Sequence, residues 1–503
     1  MTTLSKTTEA RPLVLSFILL TLVTVSTTSS TLAQPSSREP IQLHPDNPHY
    51  FWYGDKALAL ITSAEHYGAV LNLDFDYRKY LKTLSDEGMN YTRIFTGTYF
   101  EVAGESFNIQ HNTLAPPSDR VITPWTTVDS AGQQQYDLTS WNEAYFDRLH
   151  DFLSVADEYG IIVEITLFSS IYRDEHWDLS PQNPANNVNL TQPIDRLAAQ
   201  TLDNGPLLAY QISLVRQLVN ELNAHGNFFF EIQNEPWSDH PVPVYNIVNK
   251  EELQENDWTY KADFADSASL AWQDSLASVI VETERALLQQ HLIAQNYTNF
   301  RAAIPEVSDH ISIINFHYAW PDAARWNYHY DKVLGFDESG FAGSDDPVYR
   351  RQAWQFMLSG GGLYNNLDYS FYVGQEDGRG TNDAPGGGSA ALRQQLKTLS
   401  DFLHSFKLET LRPDLTSIVR SPGLIPYVLS DSDRAYAIYL RATGTGSSML
   451  QLRTGDGNYR MEALNPITGK YAEPTDMVAN DGLLTVDVVI PTGELALKIV
   501  KVD

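Results

Sequence analysis

"FFFEIQNEPW", residues 228–237, decides how the chain is read. Phe228, Phe229, Phe230 and Ile232 show no apolar-polar alternation, so they read as a strand buried on both faces. The strand then ends on Asn234, Glu235, Pro236 and Trp237. An amide, a carboxylate and an indole at the end of a buried strand suit the mouth of a β/α barrel, where strand ends converge on one site. Glu231 is also acidic, but it falls within the strand and is set aside.

On either side of it, the same kind of short apolar strand recurs at 57–62, 91–95, 161–168, 292–295, 311–316, 333–336 and 362–367. Amphipathic helical patterns lie between them, at 74–88, 141–160, 205–226, 268–290, 347–358 and 390–406, the first three closed by glycine. The fifth and sixth strands are joined by the faintest helical pattern. About eight β-then-α units point to a closed parallel (β/α)8 TIM barrel. An open doubly wound sheet is the alternative, but no glycine-rich phosphate loop follows the first strand. After residue 408 the pattern changes to short alternating stretches such as "AYAIYLRA" and "LLTVDVVIP", split by turns such as "GDGN". This reads as a small antiparallel β-sandwich at 409–503. The barrel is bounded at 50–408, and the Pro/Ser/His stretch 34–49 reads as a linker.

The first 33 residues read as a cleaved export signal: Lys6 and Arg11, then the apolar run Pro12–Val25, then Thr31 and Ala33 before the cut. That implies a secreted or periplasmic protein. An uncleaved anchor is the alternative, although the run is short for a membrane span. No later stretch suggests stable membrane insertion. A formal net charge of -29 argues against nucleic acid as a partner. The absence of cysteine excludes disulfides, thiolate metal sites and cysteine nucleophiles.

The residues just past the strand ends are polar, aromatic or acidic: His66 and Tyr67, Arg93, Asn234 to Trp237, His317 with Tyr318 and Trp320, and Asp337 with Glu338. Glu235 after the fourth strand and Glu338 after the seventh face each other across such a barrel. Glycosidic bond cleavage needs two opposed carboxyls, about 5–5.5 Å apart in a retaining enzyme. Asp337 is an alternative nucleophile. Neighbours on a strand point to opposite faces, so only one of Asp337 and Glu338 is expected to face the site. Trp177, Trp237, Trp320, Trp326 and Tyr328 are candidate stacking platforms in βα-loops. His44 and His49 lack a third ligand, so no metal and no cofactor are expected.

Asn234-Glu235-Pro236 after a fourth strand, with Glu338 ending the seventh, resembles clan A of the retaining glycoside hydrolases, the cellulase-like family 5 type in particular. The resemblance covers roughly residues 50–405. It implies Glu235 as acid/base, Asn234 on the sugar 2-hydroxyl, Glu338 as nucleophile and Arg93 as the residue orienting it. It implies a carbohydrate substrate, a β-linked poly- or oligosaccharide. Two features depart from the family pattern: His317 and Tyr318 are adjacent, and no tryptophan ends the eighth strand. With Arg93 beside it, Glu338 is expected to stay ionised. Glu235, against Trp237 and near a second negative charge, is expected to hold its proton. The long loops 96–140 and 169–203 suit either a walled exo-acting site or an extended endo-acting cleft. A carbohydrate-binding barrel without catalysis is the competing class, and a metal-dependent hydrolase is a third.

Overall fold

Eight parallel strands wind into a barrel: β1 Leu60–Ala64, β2 Tyr91–Phe95, β3 Ile162–Ser169, β4 Phe228–Asn234, β5 Ile293–Asn299, β6 Ile313–His317, β7 Val333–Ser339 and β8 Leu363–Leu367. Hydrogen-bonded neighbours run from β2 in sequence to β8 and then to β1. Among the described residues no ladder joins β1 to β2. Asn90 stitches that seam: its Oδ1 accepts from the Ile61 amide at 2.8 Å and its Nδ2 donates to the Ala59 carbonyl at 2.9 Å. The computed structural model describes residues 1–4, 39–245, 261–340, 342–381, 384–444, 446–490 and 492–502. Most of residues 1–33, the stretch read as an export signal, lies outside the described residues. Every described strand and helix belongs to the compact unit Pro35–Asp503.

Among the described residues, apart from the single turn Asp174–Trp177 in the loop after β3, seven helices clothe the barrel: α1 Tyr77–Asp86, α2 Glu143–Glu158, α3 Leu207–Leu222, α4 Ser267–Glu284, α5 Pro321–Asn327, α6 Asp346–Met357 and α7 Ala390–His404. Residues 300–312, between β5 and β6, form turns without a helix. The outward strand residues, Phe228 and Phe230 among them, pack into the shell of helices. Inside, each strand gives one apolar residue to a floor, from Leu60 on β1 through Phe229 on β4 to Leu363 on β8. Two residues further along, the interior becomes polar: Thr62, Arg93, Glu164, Glu231, Asn296, Asn315 and Asn365 are all buried. β7 contributes Gly335 to this layer, and a Cβ there would meet Asn315 Oδ1 at 2.1 Å. The polar layer therefore requires glycine at that point.

One expectation is corrected. The stretch 34–49 is not a linker throughout. Gln42–His44 pairs with Asn47–Tyr53, which pairs with Lys56–Leu58. Phe51 and Tyr53 of this antiparallel sheet join the barrel floor. Alternate residues Asn47, His49, Phe51 and Tyr53 are buried, an alternation that the polar and proline-rich composition conceals. The C-terminal strands form antiparallel sheets that also pack against the barrel. A six-stranded antiparallel sheet (412–413, 424–431, 435–442, 494–502, 457–464 and 475–479 in spatial order) shares a core with a three-stranded one (418–420, 446–453 and 483–490). Ile438, Leu440 and Ile499 face Leu452 and Val486 within that core. The other face of the larger sheet, with Leu429, Tyr439 and Ala496, belongs to the barrel's own core. No helix among the described residues is long and apolar enough to cross a membrane.

Candidate active site

β4 delivers Asn234 to the barrel mouth, and the chain then turns sharply. Glu235 sits in the left-handed region (φ 48°, ψ 48°) immediately before Pro236. Proline normally holds its predecessor in extended backbone, so the surrounding contacts must enforce this conformation. Tyr67, Tyr172, Phe300 and Tyr318, all at or beside the same mouth, also have positive φ. Across the mouth, β7 carries Glu338. Both ladders of β7 shift register near its end, after Phe316 on β6 and after Phe336 toward β8. The shift breaks the alternation, so Asp337 and Glu338 both reach inward, contrary to expectation, at two depths.

Glu235, His317 and Glu338 each place one side-chain atom within 4.8 Å of the others. His317 Nδ1 lies 2.9 Å from Glu235 Oε1 and 3.7 Å from Glu338 Oε2. Tyr318 Oη stands 3.0 Å from Glu235 Oε1 and 2.9 Å from Glu338 Oε1. Tyr67 donates to Glu338 Oε2 at 3.1 Å, with Arg93 Nη1 3.4 Å from the same oxygen. Arg93 Nη2 also donates to Asn234 Oδ1 at 2.9 Å, and Nε donates to Glu231 Oε2 at 2.9 Å. Glu231 is thus the main counter-charge of Arg93, a role its place within the strand concealed.

The protonation pattern reverses the expected one. Burial pushes Glu235 up, but hydrogen bonds from His317, Tyr172 and Tyr318 outweigh it and hold the carboxyl below its ordinary range. Burial raises Glu338, helped by the negative charges of Glu235 and Asp337 and opposed by His317 and Arg93. Arg93 fails to keep Glu338 low because its guanidinium is shared with Glu231, Asp337 and Glu164. Burial lowers His317, but Glu338 and Asp337 carry it well above the usual imidazole range. The opposite directions of the two shifts place a shared proton toward Glu338. A hydroxyl has one hydrogen, so Tyr318 satisfies both carboxyls only when one of them is protonated and donates back.

A pocket of roughly 370 Å³, counting its open mouth, surrounds these groups. Asn234, Glu235, Tyr318, Glu338, His66 and Tyr67 line it, and His66 Nε2 lies 3.4 Å from Glu101. Trp237 instead packs edge-on behind His317, ring centres 5.2 Å apart. Trp177 is 7 % exposed, donates to the Ile194 carbonyl at 3.3 Å, and belongs to the core. Trp320 and Trp326 are exposed outside this pocket. Tyr328 stacks on His49, in the N-terminal sheet that carries the barrel floor. Sequence reasoning missed Tyr172, which donates to Glu235 Oε2 at 2.9 Å and accepts from Asn234 Nδ2 at 2.8 Å. It also missed Tyr99, Glu101 and Phe107 of the loop after β2, which wall one side. Position in the long loops after β2 and β3 was the available signal.

Among the described residues two groupings have the spacing a cation needs: Glu235, His317 and Glu338, and, deeper, Glu164, Glu231 and Asp337. The deeper group is engaged by Arg93, and the upper one by the tyrosines and by its own internal hydrogen bonds.

No family model and no curated protein matches the chain by sequence. Solved structures do match. A provisionally assigned glycoside hydrolase from Bacteroides vulgatus ATCC 8482 superposes with a TM-score of 0.63 at 12% identity, over 93% of this chain and 83% of that one. The chain shares that protein's fold. A glycoside hydrolase family 5 structure from the same organism gives 0.57 at 12% identity, covering 92% of each chain. A third structure, described as a glycoside hydrolase, gives 0.55 at 12% identity over 92% of this chain and 97% of the other.

Proposed function

We propose that the chain is a retaining glycoside hydrolase acting on a β-linked saccharide. The observation that carries the proposal is the pair Glu235 and Glu338, opposed at the barrel mouth with oxygens within 4.8 Å. That spacing suits direct attack by one carboxylate rather than an intervening water. Glu338 attacks the anomeric carbon. Glu235 gives its proton to the departing glycosidic oxygen, and a covalent glycosyl-enzyme forms. Ionised Glu235 then takes a proton from water, the water oxygen bonds to the anomeric carbon, and Glu338 leaves. In the free site the proton rests toward Glu338, so it must cross to Glu235 before attack. Tyr318, in contact with both carboxyls, supplies the path. Asn234, held by Arg93 and Tyr172, presents its amide to the sugar beside the reacting carbon.

The test is Glu338→Ala assayed on an aryl β-glycoside. Turnover should fall by at least a thousandfold, and azide should restore part of it while yielding an α-glycosyl azide. Wild-type turnover in the variant would sink the assignment. In the same assay the unmodified protein should keep its rate after dialysis against a chelator. A loss restored by divalent metal would instead make Glu235, His317 and Glu338 a metal site. The wall of Tyr99, Glu101 and Phe107 favours a second, narrower reading: action on chain ends or short oligosaccharides, seen as release of small products from the first turnovers.

A further inference from the structure

Beside the catalytic pocket lies a second, wider one, of roughly 850 Å³ counting its mouth, where the barrel meets the C-terminal sheet. Both are served by one loop: Tyr318 reaches the two glutamates, and Trp320, two residues on, lines the second pocket. Trp320 is 47% exposed, an unusual position for an indole, with the Arg301 guanidinium 4.2 Å from its ring centre. Tyr427, from the C-terminal sheet, forms another wall, with Arg325 5.3 Å from its ring.

Charge marks this pocket out. Arg301, Arg325 and Arg441 all line it, in a chain of formal net charge -29. Asp322 is the acid on the same wall; it accepts from Arg301 at 2.8 Å and stands 4.0 Å from Arg325. Arg441 has no carboxylate within ion-pair distance among the described residues. Its Nε is buried without a hydrogen-bond partner, as is Oε1 of Gln352 on the same pocket wall. An unmet donor, an unmet acceptor, surplus positive charge and two aromatic walls together describe a ligand that the protein itself does not supply.

We propose that this pocket binds a sugar unit carrying an anionic group, a uronate or a sulfate ester, within the saccharide that the adjoining catalytic pocket cleaves. The guanidinium of Arg441, with Arg325, takes the anion, because a planar fork matches a carboxylate or sulfate edge. Gln352 Oε1 accepts from a ring hydroxyl, and Trp320 and Tyr427 offer apolar faces to the pyranose. The substrate is then an acidic polysaccharide rather than a neutral glucan. This rests on the glycosidase reading only for its link to cleavage; binding at the pocket stands without it.

The experiment is calorimetric titration of the full-length protein with three oligosaccharides of one backbone: uronate-bearing, its carboxyl-reduced counterpart, and a sulfated form. At least one anionic form should bind at least tenfold tighter than the reduced one, and the tighter of the two names the group. Raising salt from 50 to 500 mM should erase most of that preference. Arg441→Ala and Arg325→Gln, each confirmed as folded by circular dichroism, should each remove most of the preference. Quenching of indole fluorescence by the anionic ligand should diminish in Trp320→Phe. Equal binding of all three oligosaccharides, or a preference untouched in both arginine variants, overturns the proposal. Because binding is read without turnover, a catalytically dead Glu338→Ala protein should give the same titration. Failure of the glycosidase reading therefore leaves this result intact.

Discussion

Among single residues, the site turns on who shares a proton with whom. Glu235 is held low by donors: His317, then Tyr172, then Tyr318. Tyr172→Phe removes one of them while leaving the ring in place. A hydrogen bond to the charged form favours that form, so its loss should raise the Glu235 pKa. Because Glu235 is shifted down and Glu338 up, Glu235 sets the acid limb of the kcat/KM profile, and that limb should move upward in Tyr172→Phe by up to about one pH unit, the basic limb staying fixed. A shift of the basic limb alone would mean that the shared proton rests on Glu235 rather than on Glu338. Glu235 and Glu338 were legible in the sequence because each lies at the end of a strand whose burial was plain from its residues. Tyr172 was not, because it reaches Glu235 through a loop turn with φ 56°, and no periodicity marks that turn. Glu231 escaped for a similar reason: its place within the strand was clear, but not that the inside of the barrel at that level is polar.

At the level of strands and helices, the barrel strands were readable as continuous apolar runs, and most helices from their spacing and terminal glycines. The sheet formed by 42–58 escaped because its inward residues include Asn47 and His49, whose burial depends on partners in the barrel and beyond it. Asn47 Nδ2, for instance, donates to the Leu411 carbonyl at 3.0 Å. Another long-range polar contact sets the acid sensitivity of the shell. His225, in the turn after α3, is 1% exposed and stands with Nε2 2.9 Å from Nδ1 of His150 on α2. Burial, with His150 adding to it, lowers His225 from 6.5 to about 4. Between those values the unfolded chain binds a proton that the folded chain refuses. Stability should therefore be full above pH 6.5 and fall as the pH drops toward 4, by up to about 3 kcal/mol from this group. His225→Gln should flatten that part of the profile, measured as urea unfolding at pH 7.0 and 4.5. An unchanged difference between the two pH values would remove His225 as the cause.

For the molecule in its entirety, the question is whether barrel and C-terminal sheets unfold as one. Composition placed a boundary near residue 408, where helical spacing gives way to short alternating strands. That boundary is real as a change of architecture, but packing runs across it. Trp354 of α6 is fully buried and stacks on Tyr439 of the larger sheet, ring centres 5.2 Å apart. Beside them Glu494, 1% exposed, accepts from Arg350 Nη2 at 2.7 Å, from Arg351 Nε at 2.6 Å and from Tyr439 at 2.9 Å. Alternation along 494–502 could show which residues face inward, but not that the first of them meets arginines some 140 positions earlier. Glu494→Ala strips the counter-charge from Arg350, itself buried, and leaves a guanidinium in the interior. Breaking a buried pair from one side costs about 3–5 kcal/mol. Glu494→Gln keeps an acceptor and should lose less. If barrel and sheets share their core as packed, urea unfolding of Glu494→Ala should remain a single transition with a lowered midpoint, whether followed by tryptophan fluorescence or by circular dichroism. Two separated transitions, with only one displaced, would mean that the C-terminal sheets fold independently and that the buried contacts at Trp354 and Arg350 are too weak to join them to the barrel.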